Sequence, residues 1–457
     1  MTIQNVVTTQ LLTQGPPPEK KGYGVAMILT THSKYVDRHR TYSQADDLLD
    51  DGWTVDDLVY EQATALLSGG GVDSFMVGKR NNVPLQSVRL TPTSTVVGTV
   101  YSITIKAPGF ASAETASYTV VALDTVATIC DGLKIAIDLL TAGNGLSSAN
   151  LLCTDGTTHL DLTPVAVTGK VFRYSAPNDA LTFEDRTADP GIVADIAAIR
   201  ATPGGDAWWA LYCESNSKAE IVAAAGTIEG LEKALFYTSM DTNMKSTAYA
   251  PGGTGIAATL KGLSYNRTIG CYCSDQTKHA YLRVMSLGLP KDPGTESWKY
   301  LRPVGVSAEV LSTNEVTNLL SNNVNFIVDR ADVTFAMPGV AASGEWIDTV
   351  RGNDWFINSL EVDVLTMFLN ATSTLGKISF TANGIALVKK TVLATCSSAK
   401  ATDANPARLL ASYTVTTPDI SQVTAADKAA RILRYVVIEG VYAGAIHEAG
   451  FKVIFTT

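Results

Sequence analysis

Seven carboxylates stand between Asp46 and Glu61 with no lysine, arginine or histidine among them. Paired carboxylates can hold a cation or divide into general acid and general base. A hydrolase with an acidic site around Asp46 and Asp57 is therefore one reading. The same residues are also what helix N-termini attract through the helix dipole. Ser43-x-x-Asp46 and Thr54-x-x-Asp57 read as capping boxes, and the second opens a helix with Val55, Leu58, Val59, Ala63 and Leu66 on one face. Gly69-Gly70-Gly71 follows that helix and precedes a strand, the reverse of a phosphate loop, and no Gly-Lys-Ser/Thr accompanies it. Pro251-Gly252-Gly253-Thr254-Gly255 precedes a helix but lacks the dinucleotide spacing, so Thr254 is expected as a plain N-cap.

The other chemistry-bearing residues are dispersed. The five histidines, His32, His39, His159, His279 and His447, form no His-Glu-x-x-His pattern. The six cysteines have no zinc-finger spacing and are expected as reduced, buried thiols. No catalytic residue, metal or cofactor is expected.

A chain of 457 residues with 46% apolar and 17% charged residues forms several cores, and two to four domains are expected. A net charge of −9 argues against a nucleic-acid binder, which needs a basic footprint. No basic, apolar leader opens the sequence and no apolar run reaches a membrane span, so neither secretion nor membrane insertion is expected.

The pattern along the chain predicts an α/β and α+β multidomain protein: layered α/β core domains, an inserted β-rich domain and extended terminal strands. Residues 1–22 are a strand-capable arm with Ile3, Val6 and Val7, followed by a polyproline spacer at Pro16-Pro17-Pro18. Residues 23–84 begin an α/β core. Residues 85–190 turn rich in Thr, Ser and Val and read as an inserted, outward-facing α+β domain. Residues 191–345 alternate helix and strand, as a layered α/β domain does. In residues 346–450 a long helix carries Leu360, Val364, Leu365 and Phe368 on one face, capped by Asn353 or Asp354. Strands are expected at 378–381, 385–389 and 409–415. A box from Thr424 to Asp427 opens a helix with Lys428, Arg431 and Arg434 as a basic flank and an Asp427–Arg431 pair. Residues 451–457 form a strand with Phe451, Val453 and Phe455 on one face, and a free apolar strand invites pairing with another chain.

One ordered set of short motifs is more specific. Gly294-Thr295-Glu296-Ser297-Trp298-Lys299, Gly305-Val306, a helix with Asn322-Asn323, Gly344-Glu345-Trp346-Ile347-Asp348 and Asp354-Trp355 follow one another. Asp427-Lys428-Ala429-Ala430-Arg431 and Ala443-Gly444-Ala445-Ile446-His447 come later, and residues 42–80 match at the front. This order resembles the sheath protein of contractile bacteriophage tails. The resemblance covers both halves of the chain and is least in residues 85–190. It implies a structural, non-enzymatic virion subunit assembled in the host bacterial cytoplasm. Copies of the chain would form stacked hexameric rings around a tail tube, which contraction drives through the host envelope. It further implies tail tube, baseplate and tail terminator proteins as partners, with a C-terminal helix, here bearing Lys428, Arg431 and Arg434, meeting acidic groups on the tube. The terminal strands would link neighbouring copies. Cys271 and Cys273, on one face of a strand, are then candidates for inter-subunit disulfides in the released particle. A receptor-binding virion surface protein, with residues 85–190 as its recognition module, is the alternative beside the hydrolase.

Overall fold

The structure, a computed structural model, describes residues 22–32, 34–80, 87–106, 113–140, 151–164, 172–175, 181–185, 191–215 and 217–450. The chain divides into two compact units, Gly22–Arg351 with the segment from Ala445, and Gly352–Gly444.

The first unit starts with β1 (Ala26–Thr31), β2 (His39–Tyr42), α1 (Asp47–Asp50), α2 (Leu58–Leu67) and β3 (Phe75–Arg80). After residues 88–185, it resumes with α4 (Ile192–Arg200), β11 (Ala210–Glu214), α5 (Lys218–Glu229), β12 (Ala234–Ser239), α6 (Asn243–Ser246), α7 (Ile256–Gly262), β13 (Thr268–Tyr272) and α8 (Ala280–Gly288). Together they form a six-stranded sheet of order β13-β12-β11-β1-β3-β2, parallel except for the edge strand β2. A parallel sheet is covered on both faces, and its strands read as continuous apolar runs. All six residues of β12 are buried, as are all five of β13. Met27, Leu211, Leu235 and Tyr237 face one layer, where they pack with Ile196, Ile199, Ile221 and Leu260 of α4, α5 and α7. Alternate residues face α2 and α8, where Phe236 meets Tyr281 and Trp298.

Between β3 and α4 lie β4 (Val88–Pro92), β5 (Val100–Lys106), β6 (Glu114–Thr119), α3 (Val126–Asp138), β7 (Leu151–Asp155), β8 (Leu160–Pro164), β9 (Arg173–Ser175) and β10 (Leu181–Asp185). They make two antiparallel sheets, β10-β4-β8-β7 and β6-β5-β9, around a separate core with Ile129, Leu133 and Ile137 of α3. Thr125 caps α3 through a reciprocal box with Thr128.

The first unit is completed by α9 (Thr313–Ser321) and the hairpin of β14 (Phe326–Arg330) and β15 (Val333–Met337). Three asparagines tie this part down. Asn322 donates to the carbonyls of Met244 and Thr247, and Asn323 to that of Ala342. Buried Asn325 donates to the Gly270 and Val340 carbonyls and accepts from the Gly339 and Val340 amides. The Asn322-Asn323 motif is therefore a cross-tie between the α/β layers and this hairpin.

The second unit holds most of α10 (Ile347–Leu375), then α11 (Ala382–Ala399), β16 (Leu410–Thr416), α12 (Ala425–Ala430) and β17 (Val437–Tyr442). Phe356, Leu360 and Val364 of α10 pack with Val392 and Cys396 of α11 and with Val415 and Ile438 of the β16–β17 ribbon. Several expectations fail here. The strands expected at 378–381 and 385–389 do not form: Thr381 caps α11, its hydroxyl accepting from the Gly384 amide, and Ile385, Val388, Val392 and Cys396 recur at helical spacing. The helix expected to begin at Asn353 or Asp354 begins at Ile347, so both residues are interior to it. Leu365 and Phe368 remain exposed. Leu replacing Asn325 strips four hydrogen bonds and takes this partner from the buried Gly339 and Val340 amides and the Val340 carbonyl, while the Gly270 carbonyl keeps the backbone amide of residue 325. We expect a loss of about 2–4 kcal/mol in urea denaturation of the first unit.

Candidate functional site

In an open parallel sheet, ligands bind beyond the carboxyl ends of the strands, where the chain order reverses. Here β1 neighbours β3 on one side and β11 on the other, so the reversal lies between β1 and β11. Arg80, at the end of β3, pairs with Asp195 at 3.4 Å and with Glu220. The Ser217 hydroxyl caps α5 through the Glu220 amide at 3.1 Å. Gln62 donates to Glu214 at 2.9 Å. His279, held at φ 45°, places one ring nitrogen 2.8 Å from Glu214 and the other 3.4 Å from Glu61. Lys106 of β5 closes the chain at 2.6 Å from Glu61. The remaining cavity is about 40 Å³, room for very few waters. Side chains fill the crevice that would otherwise admit a substrate.

Five of the seven acids between Asp46 and Glu61 are likewise held by hydrogen bonds or ion pairs. Asp47 accepts from the Ser43 and Gln44 amides, so the expected Ser43–Asp46 box is replaced by one centred on Asp47. Asp46 accepts from Tyr60, Asp51 from Arg40 and Tyr42, and Asp57 from Thr54. Val55 is exposed and off the expected α2 face. Thr254 is not the cap of α7. Gly255 holds that position, and the buried Asp241 carboxylate accepts from the Ile256 amide at 3.1 Å. The anion for that helix end is built in.

The motif residues converge elsewhere in the first unit. Arg351 of α10 is buried with Glu296 at 2.8 Å and also donates to the Tyr23, Gly288 and Leu289 carbonyls. Trp298 donates to Glu296 and lies against Gly288, where a Cβ would stand 2.8 Å from the indole. Beside it, His447 lies 3.0 Å from the Ser297 hydroxyl, its ring 4.5 Å from that of Trp346, and its carbonyl accepts from Tyr300. Three motifs distant in sequence thus form one cluster. Arg351 carried no sequence signal beyond its place two residues after Asp348-Thr349. His447 was visible only as part of a motif.

In the second unit, Thr424 caps α12 as expected, but Arg431 takes a left-handed conformation at φ 58° and ends the helix. The three bases do not share a helical face, and the expected Asp427–Arg431 pair is replaced by Asp427–Arg434 at 2.9 Å. Lys428 and Arg431 nevertheless line one groove of about 370 Å³ with Lys377, Phe368, Ile378 and Phe380. Cys271 and Cys273 are buried, and burial, then Glu309, hold both thiols well above their ordinary range. Neither reaches a surface where a disulfide to another copy could form. Ile3, Val6, Val7, Phe451, Val453 and Phe455 lie outside the described residues. Among the described residues no group of three metal-ligating side chains converges and no helix is long and apolar enough to cross a membrane.

Burial and the neighbouring Glu296 push Asp348 up to about 6. A carboxyl raised in the native state costs stability once pH rises through that value, and costs nothing below its unfolded value near 4. Asp348→Asn is therefore expected to stabilise the protein by about 2 kcal/mol at pH 7.5, a gain that vanishes by about pH 4 in denaturation curves.

No protein-family model matches the chain. No curated protein matches it. Among solved structures it is similar to the sheath tail protein of Listeria innocua at 10% identity, over 88% of this chain and 89% of that one, with a TM-score of 0.47. It is similar to the sheath tail protein of Desulfitobacterium hafniense at 11% identity, over 90% and 93% of the two chains, with a TM-score of 0.43. The helical sheath of the anti-feeding prophage in its contracted state matches at 10% identity, over 99% of each chain, with a TM-score of 0.38.

Proposed function

We propose that this chain is a structural subunit of a contractile phage tail sheath, polymerising as stacked hexameric rings around a tail tube. The observation that carries the reading is the β16–β17 ribbon. A two-stranded ribbon is marginal alone. Apart from one bridge from Lys400 to Leu410, neither strand pairs with a third among the described residues. Five of the six residues of β17 are exposed, including Val437, Val441 and Tyr442. Exposed strand edges are templates for strand addition. Residues 1–22 and 451–457 of neighbouring copies, with Ile3, Val6, Val7, Phe451, Val453 and Phe455, are the strands we assign to them.

In this reading the first unit is a rigid body and the ribbon is the coupling. Rigid bodies slide past one another on contraction while the backbone pairing between copies persists. A few hundred Å² of apolar surface gained per subunit would release several kcal/mol, at roughly 25 cal/mol per Å². No nucleotide is then needed. The groove of Lys377, Lys428 and Arg431 is the surface we assign to acidic groups of the tube, with baseplate and terminator proteins at the two ends of the polymer. Three of the ordered sequence motifs support the same reading, because they build the buried cluster around Arg351 and His447.

Electron microscopy of the purified protein tests assembly: tubes or rings are expected, and discrete monomers would overturn the proposal. Removing residues 451–457 should leave a folded chain, by circular dichroism and thermal melting, that forms no tubes. Normal tubes from that deletion would refute the strand exchange. Lys428→Glu with Arg431→Glu should leave empty sheaths assembling while co-sedimentation with tube protein is lost.

A further inference from the structure

We infer that residues 445–450 form an acid-releasable strap, docked on the first unit through neutral His447 and freed when that ring is protonated. The inference concerns the single chain and is independent of the sheath reading. Within this segment His447 alone is half-buried; the five other residues are exposed, with Ile446 at 89%. The strap therefore hangs on one side chain and three polar contacts. His447 Nε2 lies 3.0 Å from Ser297 Oγ. Tyr300 donates to the His447 carbonyl at 2.5 Å, and Lys299 lies 3.5 Å from Glu448. Gly444, at φ 54°, precedes the segment, so the backbone there is free to turn.

The notch suits an uncharged imidazole. Its Nδ1 is buried and has no hydrogen-bond partner among the described residues. Ser297 Oγ donates to the Lys299 carbonyl at 3.2 Å, so it accepts from Nε2–H, and the neutral ring carries its proton there. A second proton creates a buried N–H at Nδ1 without an acceptor. The ring meets Trp346 and Tyr300 edge to face, at 78° and 88°.

Charged groups around the notch come from each packed element. The loop after α8 brings the buried Lys299 ammonium, which lies 5.1 Å from the Tyr300 ring centroid. The strap brings Glu448, whose side chain is 89% exposed and so screened by water. Beside Trp346, the Glu345 carboxylate accepts from the Trp346 amide. Asp348 follows in the first turn of α10 and interacts with Glu296 and Glu345. Phe335 of β15, behind Tyr300, is uncharged. Burial and then Lys299 lower the His447 value below the ordinary 6.5, against the weaker pull of Glu448. Docking is then at full strength above 6.5 and is lost as pH falls through that value toward the docked one.

Backbone 15N relaxation of the unassembled full-length chain, read at residues 445–450, tests this. Order parameters of these amides at pH 5.0 are expected to fall well below those at pH 7.5. His447→Gln, which keeps a neutral partner for Ser297, is expected to show no such pH response. Asp348→Asn, which removes the nearby carboxyl raised into this window, is expected to keep it. Equal order parameters at both pH values in the unmutated chain, a normal response in His447→Gln, or its loss in Asp348→Asn would each overturn the inference. An imidazole titration of His447 by NMR decides independently of how the Gln variant folds. A value below 6.5 is required, and one at or above 6.5 refutes the strap as described.

Discussion

The buried Arg351–Glu296 pair is the joint of the first unit. A guanidinium taken out of water is costly unless every donor is used and the charge is matched. Arg351 comes close to that condition, with four of its five N–H donors on one carboxylate and three carbonyls. Two of the carbonyls, Gly288 and Leu289, close the C-terminus of α8, where a cation also suits the helix dipole. The third, Tyr23, lies at the approach to β1. One side chain thus fixes the entry to the sheet, the end of its covering helix, the Trp298 loop and the first turn of α10. The Trp298 indole needs Gly288 beneath it, so this joint also explains the glycine that ends α8.

The second unit is built on the opposite principle. Helices α10 and α11 bury one face each, whereas among the described residues the ribbon has no third strand and only a bridge from Lys400 to Leu410 meets its edge. Soluble proteins usually protect such edges with charge, proline or a covering element. β17 instead exposes Val437, Val441 and Tyr442. Under the proposed strand addition, this exposed edge is the surface that another chain would cover.

How much of this the sequence disclosed depends on which force set each element. The alternation of helix and strand in residues 191–345 was legible because its strands are buried on both faces, and a run such as Ala234-Leu235-Phe236-Tyr237 has few other uses. The α11 error came from the opposite situation. Ile385 to Lys389 is short and β-branched at one end, so a local window favours strand. The helical period shows only when Val392 and Cys396 are included, and the Thr381 cap lies upstream of the window. Arg431 failed for a different reason: a left-handed residue at a helix end is normally glycine, and nothing in Ala429-Ala430-Arg431-Ile432 announces it. The candidate site was least legible. Motif residues pointed to the right loops, yet the contacts of His447 with Ser297 and Trp346 span more than a hundred residues of sequence, and no periodicity encodes them.

The crevice at the sheet reversal makes the remaining argument. A doubly wound sheet brings the ends of β1, β3 and β11 together whatever the protein does, so the fold alone cannot say whether chemistry occurs there. The side chains show what occupies the place. An enzyme of this architecture keeps the crevice open and gives glycine to the first turn after a strand. Here the same position carries Arg80, Glu214, Glu220 and His279, each held by an ion pair or hydrogen bond, and Lys106 reaches in from the β5 strand of residues 88–185. Charges placed there serve to lock one part of the chain to another. The strained φ of His279, which in an open cleft would suggest catalysis, has a structural use: it aims the two ring nitrogens at carboxylates from α2 and β11, joining the helix layer to the sheet at the one place where the topology leaves a gap.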